Sequence, residues 1–118
     1  MNYPNYDYLD MYDLIRHVER QAKWSETAFG PGPRLLGITD HIRKELDEVV
    51  ESDGALAEWV DVLILALDGC WRSGASPLEI ADALEAKQAR NEARAWPDWR
   101  TADPDRAIEH VHGSSPED

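Results

Sequence analysis

One cysteine, Cys70, stands among 118 residues, so the chain cannot close an internal disulfide. That fits a reducing compartment, and nothing around Cys70 marks a reactive thiol. Basic residues are scarce: 12 Lys and Arg face 24 Asp and Glu, for a formal net charge of −12. An excess of that sign repels phosphate backbones and anionic lipid. It excludes sequence-independent nucleic-acid binding through a basic face, and a polyanionic ligand would need metal cations between itself and the protein. Long hydrophobic runs are also missing. The longest, Trp59 to Leu67, is broken by Asp61 and too short to span a bilayer. Met1 to Met11 is polar and tyrosine-rich rather than basic then apolar, so no secretory leader is expected. The expected compartment is the cytoplasm. Alternating runs rich in Val, Ile or Thr are absent, which argues against a sheet.

What is present is helix punctuation, and 42% apolar residues, too many for a disordered acidic tail. The fold class expected is all-α, an antiparallel four-helix bundle in one domain that buries roughly two-thirds of its surface. A first helix is predicted from about Asp10 to Thr27, with Leu14 or Ile15, Val18 and Ala22 at helical spacing. Phe29-Gly-Pro-Gly-Pro33 ends it, since two prolines and two glycines neither propagate a helix nor pair in a sheet. Thr39 or Asp40 caps a second helix through about Glu51, whose core stripe is Ile38, Ile42, Leu46 and Val49. After Ser52-Asp-Gly54, a third helix from about Ala55 to Trp71 is apolar nearly all round and belongs in the middle of the bundle. Ser76, Pro77 and Glu79 form a start signal for a fourth, running to Arg94 or Ala95 before Trp96-Pro97. Trp96 and Trp99 read as packing anchors. Residues 1–13 form a polar arm, residues 14–100 the domain and residues 101–118 an acidic tail. Residues 14–102 hold sixteen acids and eleven bases, so the core is far closer to balance than the whole chain.

Four carboxylates stand out. Glu45 and Glu48 share one face of the second helix, Glu58 and Asp61 one face of the third, and nine residues separate the pairs, enough for a hairpin that brings them together. Glu58 and Asp61 sit in Leu-Ala-Glu-Trp-Val-Asp-Val-Leu-Ile-Leu, where an unpaired buried charge would cost several kcal/mol. Lys and Arg are absent between Lys44 and Arg72, so a hard divalent cation, Mg²⁺ or Mn²⁺, is the compensating charge that the pattern suggests. An EF-hand is excluded for want of an Asp-rich loop with its central Gly. A Walker motif is excluded because Ile38 follows Gly32-Pro-Arg-Leu-Leu-Gly37 where a Lys is required.

The inward stripe of the fourth helix begins apolar at Ile80 and Leu84, then continues as Lys87, Asn91 and Arg94, with Arg90 close by. A core stripe that turns cationic points at an anion, or else marks where the helix emerges past its neighbours. On the first helix, Trp24 is either a stacking platform for a base or a core residue. Ser25, Gln21 and His17 lie within two turns of it and could meet a base edge or phosphate, although His17 also suits a plain polar face. Asp68, seven residues after Asp61, is either a metal, sugar or base contact or a polar helix end before Gly69.

Lys44-Glu-Leu-Asp-Glu48, Glu58-Trp-Val-Asp61, and Lys87 with Asn91 and Arg94 together resemble the all-α nucleoside triphosphate pyrophosphohydrolases of the MazG-like superfamily. Within it, the dATP/dGTP diphosphohydrolase branch is resembled by His17-Val-Glu-Arg-Gln21, Trp24-Ser-Glu-Thr-Ala-Phe-Gly-Pro31, Asp40-His-Ile-Arg-Lys-Glu45, Asp61-Val-Leu-Ile-Leu-Ala-Leu-Asp-Gly69 and Lys87-Gln-Ala-Arg-Asn-Glu-Ala-Arg-Ala-Trp-Pro-Asp98. The likeness runs over about residues 14–100. It implies hydrolysis of a purine nucleoside triphosphate between the α and β phosphates, with two to three Mg²⁺ or Mn²⁺ ions held by Glu45, Glu48, Glu58 and Asp61. Glu45 or Glu48 is implied as proton acceptor unless the metal makes one unnecessary. Lys87, Arg94 and Asn91 are implied on the phosphate side, and a homodimer or dimer of dimers with sites near its interfaces is implied as the assembly. The family pattern usually opens with two adjacent glutamates, and here Lys44 takes the first place. Two other classes remain as alternatives. One is an acidic interaction protein of phage type that mimics nucleic acid, which needs acids spread along an exposed face. The other is a structural helical oligomer whose acids bind stray cations.

Overall fold

A computed structural model of the chain describes residues 12–113. The expected polar arm, apart from Tyr12 and Asp13, and the end of the acidic tail lie outside the described residues, as does the expected start of the first helix at Asp10. Among the described residues the secondary structure is helical throughout: α1 spans Leu14–Phe29, α2 Leu35–Glu51, α3 Leu56–Arg72 and α4 Pro77–Ala93. No helix among them is long and apolar enough to cross a membrane.

Local chemistry accounts for most of the ends. Asp13 caps α1, its Oδ1 accepting from the Arg16 amide at 2.8 Å. At the other end Gly30 takes φ 86° and closes the helix with a bond from its own N–H to the Glu26 carbonyl. The start of α4 is the reciprocal box read from the sequence: Ser76 Oγ accepts from the Glu79 amide, and Glu79 Oε1 accepts from the Ser76 amide, each at 3.1 Å.

The start of α2 corrects the sequence reading. It begins at Leu35, not after Thr39 or Asp40, and its cap is Arg34, in the left-handed region at φ 45° with no side-chain capping bond. Thr39 donates its hydroxyl back to the Leu36 carbonyl at 3.1 Å, as a residue inside a helix does. The extra turn carries Leu35 and Leu36, both exposed, so it contributes nothing to a core stripe and leaves no periodic signal. The stripe itself is half as deep as expected: Ile38 and Val49 are buried, Ile42 is half-buried and Leu46 is exposed.

The chain forms two compact units, one running through Ala81 and the other from Asp82. In the first, α3 packs against both α2 and α1. A four-residue link, Ser52 to Ala55, joins α2 to α3 as an antiparallel hairpin, with Asp53 and Gly54 in left-handed conformations. The core is Val18, Leu67 and Ile80, flanked by Leu14, Trp71 and Ala75. The apolar third helix was expected to be wrapped by its neighbours. Two neighbours cover only two of its faces, and Leu56, Trp59, Val60 and Leu63 stay exposed.

In the second unit Leu84 is 61% exposed, so the inward stripe expected to link Ile80 to Leu84 ends at Ile80. Trp99 is exposed and stacks with Arg100, while Trp96 donates to the Asn91 carbonyl at 2.7 Å and meets the His110 ring edge-on. Trp96 thus anchors the end of α4, and Trp99 does not act as a packing anchor within the chain.

Candidate active site

The hairpin puts the two acid pairs face to face. Glu45, Glu48, Glu58 and Asp61 each offer a carboxylate oxygen, and the four oxygens lie within 4.8 Å of one another. Glu45 and Glu58 are half-buried, Glu48 and Asp61 exposed. So Glu58 is partly withdrawn from water, as the sequence predicts, whereas Asp61, expected to be buried with it, is exposed at the cavity.

Crowding of like charge shows in the protonation of the buried pair. Contact with the Glu48 carboxyl, then burial, then the charges of Glu48 and Asp61 push Glu45 above the usual glutamate value, against a lowering contribution from His41. Burial, then the charges of Glu48 and Asp61, pushes Glu58 the same way. His41 lies one turn before Glu45, its Nε2 3.2 Å from Glu45 Oε1. Lys44 does not join the cluster as a counter-charge; it pairs at 3.7 Å with exposed Asp40. Glu45 Oε2 and Glu58 Oε2 are buried and have no hydrogen-bond partner among the described residues. Two orphaned carboxylate oxygens among four converging acids are a donor set that fits a hard divalent cation, and this cluster could bind a metal.

Glu45 and Asp61 also line a cavity of about 610 Å³ between α1, α2 and α3, whose other walls include His17, Gln21, Trp24, Phe29 and His41. That size suits a small ligand. Trp24 is 58% exposed, so it is not a core residue, and its ring meets Phe29 edge-to-face at 5.4 Å. Along the same wall runs a hydrogen-bonded chain. Gln21 Nε2 donates to the Ile64 carbonyl at 2.7 Å, which leaves Gln21 Oε1 to pair with His17 Nε2 at 2.7 Å; His17 Nδ1 then pairs with the Tyr12 hydroxyl at 2.8 Å. An amide oxygen opposite Nε2 requires a proton there, so Nδ1 accepts from Tyr12. Gln21 spends both ends of its amide within the protein.

Ser25 and Asp68 are likewise held in an internal network. Ser25 is fully buried, and Asp68 accepts from Trp71 Nε1 at 2.7 Å and pairs with Arg72 Nε at 3.0 Å. Burial works against the Asp68 charge, but hydrogen bonds from Ser25, Trp71 and Arg72, with the Arg72 charge, outweigh it and hold the carboxyl below its ordinary value. Sequence reasoning missed Arg72 and His41. Arg72 reads as a surface base before Ser-Gly, while His41 had a usable signal in its position one turn before Glu45.

Lys87, Asn91 and Arg94 belong to the second unit. Lys87 is exposed, and Arg94 Nη1 lies 3.4 Å from Asn91 Oδ1 just past the end of α4.

The sequence profile of the dATP/dGTP pyrophosphohydrolases matches residues 17–114, a span that takes in the acid cluster, the cavity wall and all of α2, α3 and α4. The chain belongs to this family. It is accordingly a nucleoside triphosphate pyrophosphohydrolase, an enzyme of the acid-anhydride hydrolase class. No curated protein and no solved structure matches the chain.

Proposed function

We propose that the protein is a metal-dependent diphosphohydrolase that cleaves a purine nucleoside triphosphate between the α and β phosphates, releasing the monophosphate and pyrophosphate. The preferred substrate in this reading is dGTP, with dATP and GTP as the nearest competitors. One observation carries it: of four converging carboxylates, two with orphaned buried oxygens, Glu45 and Asp61 line the cavity that Trp24 and Phe29 wall.

Glu45, Glu48, Glu58 and Asp61 would hold two to three Mg²⁺ or Mn²⁺ ions. Once bound, such ions offset the charge of the acids and the triphosphate and lower the pKa of a coordinated water. The attacking water loses its proton to Glu45 or Glu48, the two acids placed on α2. Trp24 stacks on the purine. Lys87, Arg94 and Asn91 are assigned, on the sequence resemblance, to donate to the departing pyrophosphate. Residues 14–100 are the catalytic portion.

In its compact form the chain resembles the phage enzyme MazZ, which removes pyrophosphate from dGTP to supply dGMP for 2-aminoadenine nucleotide synthesis, and the same role is inferred here. Exposed Leu35, Leu36, Val50, Leu56 and Leu63 on α2 and α3 support assembly as a homodimer or a dimer of dimers, since a lone chain rarely presents so much apolar side chain to water. A nucleic-acid mimic is the weaker reading, because Glu45 and Glu58 are half-buried where a mimic needs exposed acids.

The test is a panel of dNTPs and NTPs incubated with Mg²⁺ or Mn²⁺ and resolved by ion exchange. Monophosphate plus pyrophosphate, fastest from dGTP, is expected. Absence of turnover on every nucleotide with either ion would overturn the reading, and diphosphate plus orthophosphate would overturn the assigned bond.

A further inference from the structure

Arg72 closes α3 with a guanidinium that has no exposed surface. An arginine has five N–H donors, and all five are used. Nε donates to Asp68 Oδ2 at 3.0 Å; Nη1 donates to the Gly30 and Gly32 carbonyls at 2.9 and 2.8 Å; Nη2 donates to the Ser25 carbonyl and hydroxyl at 3.2 and 3.0 Å. Buried ion pairs are weak evidence for stability, since well-packed apolar residues often do as well. The placement of these acceptors points to a different purpose. Ser25 directly follows Trp24, and Gly30 directly follows Phe29. Two of the three residues whose carbonyls the guanidinium grips are the chain neighbours of the two aromatics that wall the cavity. Just past the end of α1 the chain has little stiffness of its own: Gly30 and Gly32 sit at φ 86° and 93°, open to other conformations that glycine alone visits freely.

We propose that Arg72 is a positioning residue that ties the end of α1, and with it the Trp24–Phe29 wall, to α3 at the place a nucleobase needs, and so governs base affinity and base choice rather than the hydrolytic step. This rests on the reading of the cavity as the base site. The consequence is mechanical. Arg72 and Asp61 are on one helix, so the base wall and the acid cluster are held on a common rod, and the distance from base to scissile phosphate is fixed by α3. A lysine in place of Arg72 would keep the charge beside Asp68 but could not bridge three carbonyls, because its donors radiate from one point instead of a planar fork.

Two full-chain variants test this. Arg72→Lys loosens the grip from the guanidinium side. Gly32→Ala loosens it from the loop side without touching the ion pair: a Cβ there meets nothing within 4 Å, but the residue no longer tolerates φ 93°. Each is compared with wild type in kcat and KM on purine and pyrimidine dNTPs, in binding of a non-hydrolysable α,β-imido dGTP, and in the thermal shift produced by Mn²⁺. Expected for both are a KM and analogue Kd raised about tenfold, as partial loss of base stacking implies, with kcat within about threefold. The purine preference should narrow and the Mn²⁺ shift should persist. Unchanged KM and unchanged purine preference in a folded Gly32→Ala would overturn the proposal, as would a fall in kcat at constant KM. If the wild type turns over no nucleotide, the functional reading fails first and this assignment fails with it; an active wild type with insensitive variants removes the Arg72 assignment alone.

Discussion

Glu45 and Glu58 meet across the α2–α3 hairpin with carboxylate oxygens within 4.8 Å, and each keeps one buried oxygen that no group among the described residues satisfies. Each is held beside the like charges of Glu48 and Asp61, so relieving the crowding should stabilise the metal-free protein. Glu58→Gln is expected to raise the melting temperature by a few degrees in EDTA. Wild type should gain from Mn²⁺ or Mg²⁺, by about 2.7 kcal/mol at a hundredfold excess over Kd, and the variant should gain much less. Differential scanning fluorimetry reads both; a wild type indifferent to either ion would contradict the metal assignment.

Asp61 is exposed, which makes it the cleanest probe of chemistry in the cluster. Asp61→Asn should cut turnover by about a hundredfold or more, the scale of losing one group that stabilises the transition state, with helicity by circular dichroism and oligomer size unchanged. Glu48→Gln should behave alike. A fully active Asp61→Asn would remove Asp61 from the site.

Trp24 is mostly exposed, so its loss should leave stability nearly untouched while weakening the nucleotide. Trp24→Ala is expected to lower the affinity for a non-hydrolysable dGTP analogue by about 1–3 kcal/mol, the usual worth of a base on an aromatic ring. Calorimetry on the analogue measures it, and unaltered affinity would return Trp24 to a surface role.

Asp68→Asn leaves the Arg72 charge buried without its counter-ion and should cost about 3–5 kcal/mol in urea unfolding. The pH dependence has a definite sign. The Asp68 carboxyl is held below its unfolded value near 3.8, so its contribution is fully present above that value and drains away as pH falls through the depressed one. Wild type and Asp68→Asn should therefore converge in stability only in strong acid.

Ser76→Ala removes the cap of α4 and should cost about 1 kcal/mol. Glu79 is held below its ordinary value of 4.5 by the backbone and hydroxyl of Ser76. Its half of the box is present above pH 4.5 and lost beneath it, so the difference between wild type and Glu79→Gln should vanish on acidification. Urea midpoints at neutral and acid pH check both.

That box was legible because Ser, Pro and Glu each carry an intrinsic preference for those positions, and the acid cluster was legible because i, i+3 spacing and a short link are properties of the sequence itself. Arg34 as a cap was not. Its left-handed backbone is imposed between Pro33 and the start of α2, and arginine has no preference that announces it. Arg72 was hidden for a different reason: its acceptors are backbone carbonyls 40 to 47 residues away, and carbonyls have no signature in a sequence. Trp24 and Asp68, each open to two readings in the sequence, were undecided on the same account. The large apolar ring faces the cavity, while the small acid is interred beside a guanidinium.

Asp61 and Asp68 stand seven residues apart on α3, two turns of helix less about 20°. One inserted residue between them would rotate the catalytic end against the buried end by about 100° and advance it by about 1.5 Å. The stretch from Asp61 to Asp68 is thus intolerant of any change in length, even one that preserves every functional side chain, while its outward positions are free to vary in kind. In α3 the information lies in counting.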